Sequence, residues 1–214
     1  GGVILADAAA ELREVSEKFQ IPVTTTLMGI GAAEVDHPLS LHMLGMHGTA
    51  YANYAVEDCD MLIAVGSRFD DRVAGKVKEF APNARYLAHM DIDAAEIGKV
   101  KVVDWSHVGD AKTSLRSLID FGKNFKKDFS AWKKEIQVLK DTYPLNYDRE
   151  SKLIQPYYVL ECLSEVTNGE AIVATGVGSW RTLAALCLGT IGMAGVLNDV
   201  GSGPNTWFAV AFRW

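Results

Sequence analysis

The stretch SLHMLGMHGTAYANYAVEDCDMLIAVGSRFDDRVAG, residues 40–75, decides the fold that we expect for this chain. Its run Met61–Gly66 is apolar and has the length of a buried strand. A glycine-spaced turn and a helix start at Thr49 precede that run, and a charged turn, residues 67–75, follows it. In α/β proteins, nucleotides bind beyond the carboxyl ends of parallel strands. The stretch therefore predicts an α/β protein with a nucleotide-type site on these turns.

Length and composition fit a globular protein with one core, or one domain plus part of another. The 214 residues are 49% apolar and 22% charged, which argues against wholesale disorder. The formal net charge is -6 and no basic run is longer than a pair, so we expect no nucleic-acid partner. No apolar run reaches the roughly 20 residues that a membrane helix requires, so we also expect no membrane association.

The three cysteines, Cys59, Cys162 and Cys187, are far apart and form no CxxC motif. This spacing predicts neither a disulfide framework nor a metal site, and it favours a reducing compartment. We therefore expect a cytoplasmic protein, with a plastid or another organelle left open.

Strand and helix patterns alternate on both sides of the opening stretch. A long loop, residues 27–48, is expected to be functional because loops of that length are uncommon in compact domains. The alternation predicts a doubly wound parallel sheet over residues 1–121. The expected strands are 1–5, 23–26, 61–66, 85–92 and 102–108, and the expected helices are 6–19, 73–80, 110–121 and one that begins at residue 49.

The second half of the chain has a different character. Residues 122–155 are charged, with apolar positions at helical spacing from Phe129 to Leu139, and predict a linker helix followed by an extended segment. Residues 156–214 predict the incomplete or divergent start of a second α/β domain. Its helix begins at Pro156, its strand covers 171–175, and a glycine turn, 176–178, follows.

Several polar residues follow the predicted strands. Asp91 ends a strand and can accept hydrogen bonds from a ribose, although capping the next turn is an equal alternative. Arg68 can neutralise a diphosphate, whereas the aspartates beside Arg68 and Arg72 also allow a locally ion-paired turn. His47 and Met46 have the simpler interpretations of a loop residue and a core residue.

Uninterrupted runs in this chain resemble one known family. They are TTTLMGIGAAEVDHPLSLHMLGMHG, GMHGTAYANYAVEDCDMLIAVGSRFDDRVAGK, HMDIDAAEIGK, TYPLNY and IQPYYVLECLSEVTNGEAIVATGVG. In this order they resemble the central domain of the catalytic subunit of acetohydroxyacid synthase (acetolactate synthase), a thiamine-diphosphate-dependent enzyme, and the start of its thiamine-diphosphate domain. Several ordered runs are more specific than one glycine motif.

The resemblance implies a central domain that holds FAD as a structural group. It also implies that Val177 and Gly178 contact thiamine diphosphate, and that Asp71 and Arg72 border the substrate channel, where Arg72 would steer a 2-ketoacid carboxylate. No catalytic residue and no metal ligand is expected in this chain. The implied FAD contacts are Gly1, Gly2, Thr26, Leu27, Leu44, Met46, His47, Gly66, Arg68, Asp70, Arg72, Val73, Asp91, Ile92 and Asp110.

The whole enzyme of this family would use FAD, thiamine diphosphate and Mg²⁺ to condense pyruvate with a second 2-ketoacid, such as 2-ketobutyrate, in branched-chain amino acid biosynthesis. The resemblance also implies a homo-oligomer, with or without a regulatory subunit. This chain departs from the family where Ser179-Trp180-Arg181 replaces a glutamine-histidine pair, and it lacks the GDG…N metal motif and the domain with the catalytic glutamate. We therefore expect an enzyme fragment that is inactive alone.

Two alternatives to this hypothesis stay open. The chain can be a non-catalytic nucleotide-binding or interaction module that has kept the fold and lost the ligand. It can also belong to another thiamine-dependent enzyme, such as an oxidase or a decarboxylase, although the runs GMHGTAYANYAV and RFDDRV weigh against this.

Overall fold

The computed structural model describes residues 1–168, 172–175 and 208–211. The chain divides into two compact units, Gly1–Pro144 and Leu145–Trp214. The first unit alternates strands with helices, and the second begins with one helix. The elements of the first unit are α1 (Gly2–Leu5), α2 (Ala9–Phe19), β1 (Val23–Thr25), β2 (Ser40–Met43), α3 (Ala50–Asp58), β3 (Met61–Val65), α4 (Asp71–Ala74), β4 (Tyr86–Asp91), β5 (Trp105–Val108), α5 (Ala111–Phe121) and α6 (Ser130–Thr142).

The strands of the first unit all pair in parallel. One group is β1 with β2, and the other has the order β3-β4-β5. β4 lies between two neighbours and is buried from Leu87 to Asp91. The carboxyl ends lie side by side, because Gly66 N donates to Met90 O over 2.8 Å and Gly109 N donates to Asp91 O over 2.9 Å. The predicted α/β class with parallel strands is confirmed.

Helices cover both faces of the β3-β4-β5 sheet. Val65 packs against a core that α2 and α5 build, in which Leu115 is fully buried. Leu62, which points to the other face by strand alternation, packs against a core shared by α3 and α6, with Ile136 at its centre. Full burial of one such side chain contributes about 1.5–3 kcal/mol. The predicted doubly wound arrangement follows from these two layers.

Polar caps set where the helices begin. Thr49 caps α3 by accepting from Ala52 N, Asp70 caps α4 by accepting from Val73 N, and Asp110 caps α5 by accepting from Thr113 N. Each cap satisfies a backbone N–H that the first helical turn leaves unpaired. The sequence predicts the start of α3 at Thr49 and of α5 at Asp110, and the structure confirms both.

Three predicted elements were wrong. Residues 1–5 form a helical turn and not a strand, because a short apolar run does not distinguish the two. The segment 27–48, predicted as a loop, contains strand β2 and a 3-10 turn, Leu27–Gly29. The sequence did not predict β2 because the strand is short and His42 within it has φ +60. The helix predicted at 73–80 is only α4, since Gly75 ends it with φ +51.

The second unit contains α7 (Pro156–Val166), β6 (Ile172–Thr175) and β7 (Phe208–Ala211). Pro156 lies in the first turn of α7, as predicted, where its missing N–H costs nothing. β6 confirms the strand predicted there, and it pairs antiparallel with β7, which the sequence did not predict. No helix in the described ranges has both the length and the apolar character needed to cross a membrane. The glycine turn with Val177 and Gly178 lies outside the described residues.

Candidate functional site

The glycine pair Gly1-Gly2 meets Gly66 at the carboxyl ends of β1 and β3. Gly2 N donates to Gly66 O over 3.0 Å, and the amine of Gly1 lies 3.4 Å from Thr26 Oγ1. A Cβ on Gly2 would lie 2.6 Å from Gly66 Cα, so this close approach of two backbones requires glycine. Gly1, Gly2, Thr26 and Gly66, four of the FAD contacts that the resemblance implies, are thus brought together. We call this side of the sheet, where the strands end, the carboxyl edge.

The loop of residues 44–48 packs onto the turn after β3. Leu44 N donates to Thr25 O over 3.0 Å, and Met46 N donates to Arg72 O over 2.9 Å. Gly45 has φ +96, and a Cβ there would lie 2.3 Å from Arg72 O. Met46 and Arg72 are therefore joined in one exposed surface together with His47, while Leu44 is buried in the core that α3 and α6 share. Leu27 is half-buried and begins the 3-10 turn, Leu27–Gly29.

Asn53 on α3 holds this loop, and sequence reasoning missed it together with Gly45. The Asn53 side chain accepts from Gly45 N over 2.8 Å and donates to Gly45 O over 3.1 Å. The available signal was an asparagine four residues after the Thr49 cap, directly behind a glycine-rich turn. An amide that can both donate and accept is suited to clamp one peptide unit.

The turn of residues 66–73 presents charges to solvent. Arg68 is exposed and, within the described part of the chain, has no hydrogen bond and no carboxylate partner. Arg72 forms a 3.8 Å ion pair with Asp71, and both side chains are mostly exposed. Asp70 is occupied as the cap of α4, next to Val73. The alternative of a locally ion-paired turn therefore describes Arg72 but not Arg68.

Asp91 lies buried at the end of β4. Its Oδ1 accepts from Asp93 N over 3.0 Å, so the turn-capping role is present, while Oδ2 lies 3.8 Å from His89 Nε2. Burial lowers the pKa of the Gly1 amine, the Asp91 carboxylate opposes that shift, and Arg68 adds to it. Both charges therefore act on the Gly1 amine. Ile92, the next residue, is exposed beside them.

The residues at the carboxyl edge fit a dinucleotide. Arg68 offers a diphosphate a guanidinium that no described residue pairs with, Asp91 offers carboxylate oxygens for ribose hydroxyls, and the glycines let backbone approach closely. Asp110 is less available, because Thr113 N and Thr113 Oγ1 already donate to it over 3.0 and 3.2 Å. Among the described residues, no group of His, Cys, Asp and Glu side chains is placed to hold a metal ion.

A groove of about 350 Å³ lies elsewhere in the first unit. Lys18, Phe19 and Gln20 at the end of α2 line it together with residues 125–128. It contains none of the residues predicted to contact FAD. We therefore locate the candidate site by the strand ends and their charges, and we treat this groove as a competing location.

Comparison with known proteins agrees with the fold and with the resemblance. Residues 1–118 match the family model of the thiamine pyrophosphate enzyme, central domain. The chain is 49% identical over 184 residues to acetolactate synthase 1, chloroplastic, of Zea mays, a match that covers 84% of this chain and 29% of that protein. It is 46% identical over 183 residues to acetolactate synthase, chloroplastic, of Arabidopsis thaliana, with 84% and 27% covered.

A third relative is the acetolactate synthase large subunit of Parasynechococcus marenigrum (strain WH8102). Here the identity is 45% over 213 residues, which covers 99% of this chain and 32% of the relative. The chain thus spans less than a third of the length of these three relatives. Because the family model matches more than half of its residues, this chain belongs to the thiamine pyrophosphate enzymes through their central domain.

Proposed function

We propose that the carboxyl edge binds FAD. The observation that carries this proposal is Arg68: it is exposed two residues after Gly66, in the turn that follows β3, and no described residue supplies a carboxylate partner for it. Its charge and that of Asp91 both act on the Gly1 amine. An unpaired guanidinium beside closely packed backbone is suited to bind a diphosphate. Asp91 would accept the ribose hydroxyls, and the exposed side chains of Met46 and Ile92 would contact the rings.

The remaining predicted contacts have two kinds of role in this proposal. Gly1, Gly2 and Gly66 set the close approach of the backbone. Asp70 and Asp110 cap α4 and α5, whose first turns would face the ligand. Thr26, Leu27, Leu44, His47 and Val73 would complete the walls around the flavin.

We further propose that the chain is part of an acetohydroxyacid synthase. The relatives named acetolactate synthase support this, since they match most of the chain. In that reaction pyruvate loses carbon dioxide, and the remaining two-carbon unit adds to the carbonyl carbon of pyruvate or 2-ketobutyrate. Thiamine diphosphate with Mg²⁺ would supply the carbanion chemistry. Arg72 would bind the carboxylate of the incoming 2-ketoacid, with Asp71 beside it.

Assembly and compartment are part of the same proposal. We expect a homo-oligomer, with or without a regulatory subunit. The maize and Arabidopsis relatives are named chloroplastic, so a plastid and the cytoplasm are both candidate compartments.

Titration with FAD tests the proposal directly. The flavin fluorescence of FAD should change saturably as the 214-residue chain is added, while riboflavin, which lacks the diphosphate and the adenosine, should bind much more weakly. A folded chain that leaves FAD fluorescence unchanged would support the non-catalytic module instead.

A separate assay concerns the condensation itself. We expect the purified chain, supplied with pyruvate, thiamine diphosphate, Mg²⁺ and FAD, to form no acetolactate, because its sequence lacks the GDG…N motif. Acetolactate formation above the protein-free control would contradict that expectation without affecting the FAD proposal.

A further inference from the structure

His89 is a buried polar residue that the fold alone does not explain. It lies in the middle of β4 with 0% of its surface exposed, and neither ring nitrogen has a hydrogen-bond partner among the residues that the structure describes. Leaving a buried donor unpaired costs about 1–3 kcal/mol, and most buried polar groups in proteins are paired. A leucine of similar volume would fill the same space without that cost, so a role beyond packing is indicated.

The ring of His89 contacts two parts of the candidate site. Its Nε2 lies 3.8 Å from Asp91 Oδ2, since the two residues share one face of β4. Its ring packs edge-on against Phe69, with centroids 5.1 Å apart and planes at 73°. Phe69 is buried in the charged turn directly after Arg68. His89 therefore lies beside the carboxylate that we assign to FAD and contacts the turn that carries Arg68.

We propose that His89 is a positioning residue for the ribose of the bound nucleotide, acting through Asp91. This inference rests on the proposed FAD site and names the group that orients its carboxylate. With a proton on Nε2, His89 donates to Asp91 Oδ2 once a small rotation of the carboxylate brings the two atoms, now 3.8 Å apart, within hydrogen-bonding distance. Asp93 N already holds Oδ1 over 3.0 Å.

Two donors on opposite oxygens would fix the plane of the Asp91 carboxylate. An ionised carboxylate has about four acceptor positions, so two would remain for the ribose hydroxyls. Without His89, Oδ2 is free to turn, and part of the ribose binding free energy is spent on ordering it. We therefore expect a chain without His89 to lose its preference for nucleotides that carry the ribose hydroxyl, and to keep its general affinity for nucleotides.

A packing role and a positioning role predict different behaviour of two substitutions. His89→Phe keeps an aromatic ring against Phe69 but removes the donor. His89→Gln loses the ring but places an amide N–H near the position of Nε2. His107→Phe on exposed β5 is the matched control, because it makes the same substitution at a histidine that has no predicted ligand contact.

The experiment compares the affinities of ADP and 2′-deoxy-ADP for the 214-residue chain by calorimetry, with FAD titrated in parallel. We expect the unsubstituted chain and H107F to prefer ADP by about tenfold, the value of one hydrogen bond to a charged group. H89F should bind both nucleotides equally, and H89Q should regain most of the preference. If H89F does not fold, His89→Asn, whose amide lies near Nδ1 and far from Asp91, should show the same loss.

The outcomes distinguish a positioning role of His89 from a packing role and from the absence of an FAD site. Equal hydroxyl preference in the unsubstituted chain, H89F and H89N would overturn the positioning role while FAD binding stands. Loss of preference in H89Q as well as H89F would assign His89 to packing and also overturn it. If the unsubstituted chain binds neither FAD nor ADP, the FAD site itself is wrong and the role of His89 falls with it.

Discussion

Arg116 and Arg68 lie in the same unit but have opposite environments. Arg116 on α5 donates from Nε and Nη2 to one carboxylate oxygen of Glu11 over 3.1 and 2.8 Å, and Glu11 is only 1% exposed. Arg68 at the carboxyl edge is exposed and has no carboxylate partner among the described residues. A buried carboxylate needs its guanidinium, whereas an unpaired exposed guanidinium is available to a ligand.

The backbone differs between the two regions in the same way. α2 and α5 are regular helices packed through Val15, Phe19 and Leu115. At the carboxyl edge, Gly45, Gly66 and Phe69 have positive φ. A non-glycine residue in that conformation costs about 1–3 kcal/mol, and such residues cluster where ligands bind. The helix pair stabilises the fold, and the edge carries the conformations that a site requires.

We expect the largest effect from a substitution that disrupts the packing at the carboxyl edge. Gly45→Ala should destabilise the chain by about 3 kcal/mol or more, because it combines positive φ with a Cβ 2.3 Å from Arg72 O. Gly31→Ala is the control: its φ of +93 is similar, and no atom lies within 4 Å of its Cβ. We expect about 1–2 kcal/mol there. Urea denaturation measures both, and equal losses would show that the loop does not need this contact.

The second effect compares the same substitution at the two arginines. Arg116→Gln should lower the free energy of unfolding by about 2 kcal/mol, because it leaves the buried Glu11 charge without its cation. Arg68→Gln should change stability by less than about 0.5 kcal/mol, as at most exposed positions. Its expected effect is on FAD, with about tenfold weaker binding. If Arg116→Gln leaves the free energy of unfolding unchanged, or if Arg68→Gln leaves the FAD affinity unchanged, the assignment of Arg116 to stability and Arg68 to ligand binding is wrong.

The third effect concerns pH. The pKa of His42 lies below its usual value, chiefly because burial penalises the charged ring and also because of the Lys140 charge. In the unfolded chain the pKa of His42 is about 6.5, so above that pH the ring is neutral in both the folded and the unfolded chain. As the pH falls below 6.5, the unfolded chain binds the proton first, and the free energy of unfolding therefore decreases. His42→Asn, which tolerates the positive φ at this position, should therefore lose less stability between about pH 8 and about pH 5. An identical pH dependence of the two chains would refute this.

The smallest effect is expected at the exposed pair of Asp71 and Arg72. Asp71→Asn should change the free energy of unfolding by less than about 0.5 kcal/mol, since exposed ion pairs contribute little and salt screens them. Thermal unfolding at low and high salt measures this. A loss of more than about 1 kcal/mol would show that the turn depends on the pair.

Local signals in the sequence predicted much of the fold. The apolar runs of β3 and β4 and the caps Thr49 and Asp110 are encoded within a few residues. β2 and the Asn53 clamp depend on contacts between distant segments, which no local pattern contains. The same holds for residues 1–5, where contact with Gly66 sets the conformation.

The sequence indicated which residues lie at the candidate site but not which of their side chains contact one another. The strand-end positions of Gly66, Arg68 and Asp91 follow from the order of the elements. Side-chain packing in three dimensions decides that Arg72 pairs with Asp71 while Arg68 has no partner among the described residues. It also decides that His89 Nε2 lies 3.8 Å from Asp91 Oδ2. The contacts at Val177 and Gly178 stay predictions.

Hydrogen exchange of the 214-residue chain with and without saturating FAD tests the proposed site most directly. Binding at the carboxyl edge should slow exchange in residues 44–47, 66–73 and 91–92, while exchange in α2 and α5 stays the same. Protection confined to the groove formed by residues 18–20 and 125–128, or no protection at all, would contradict it.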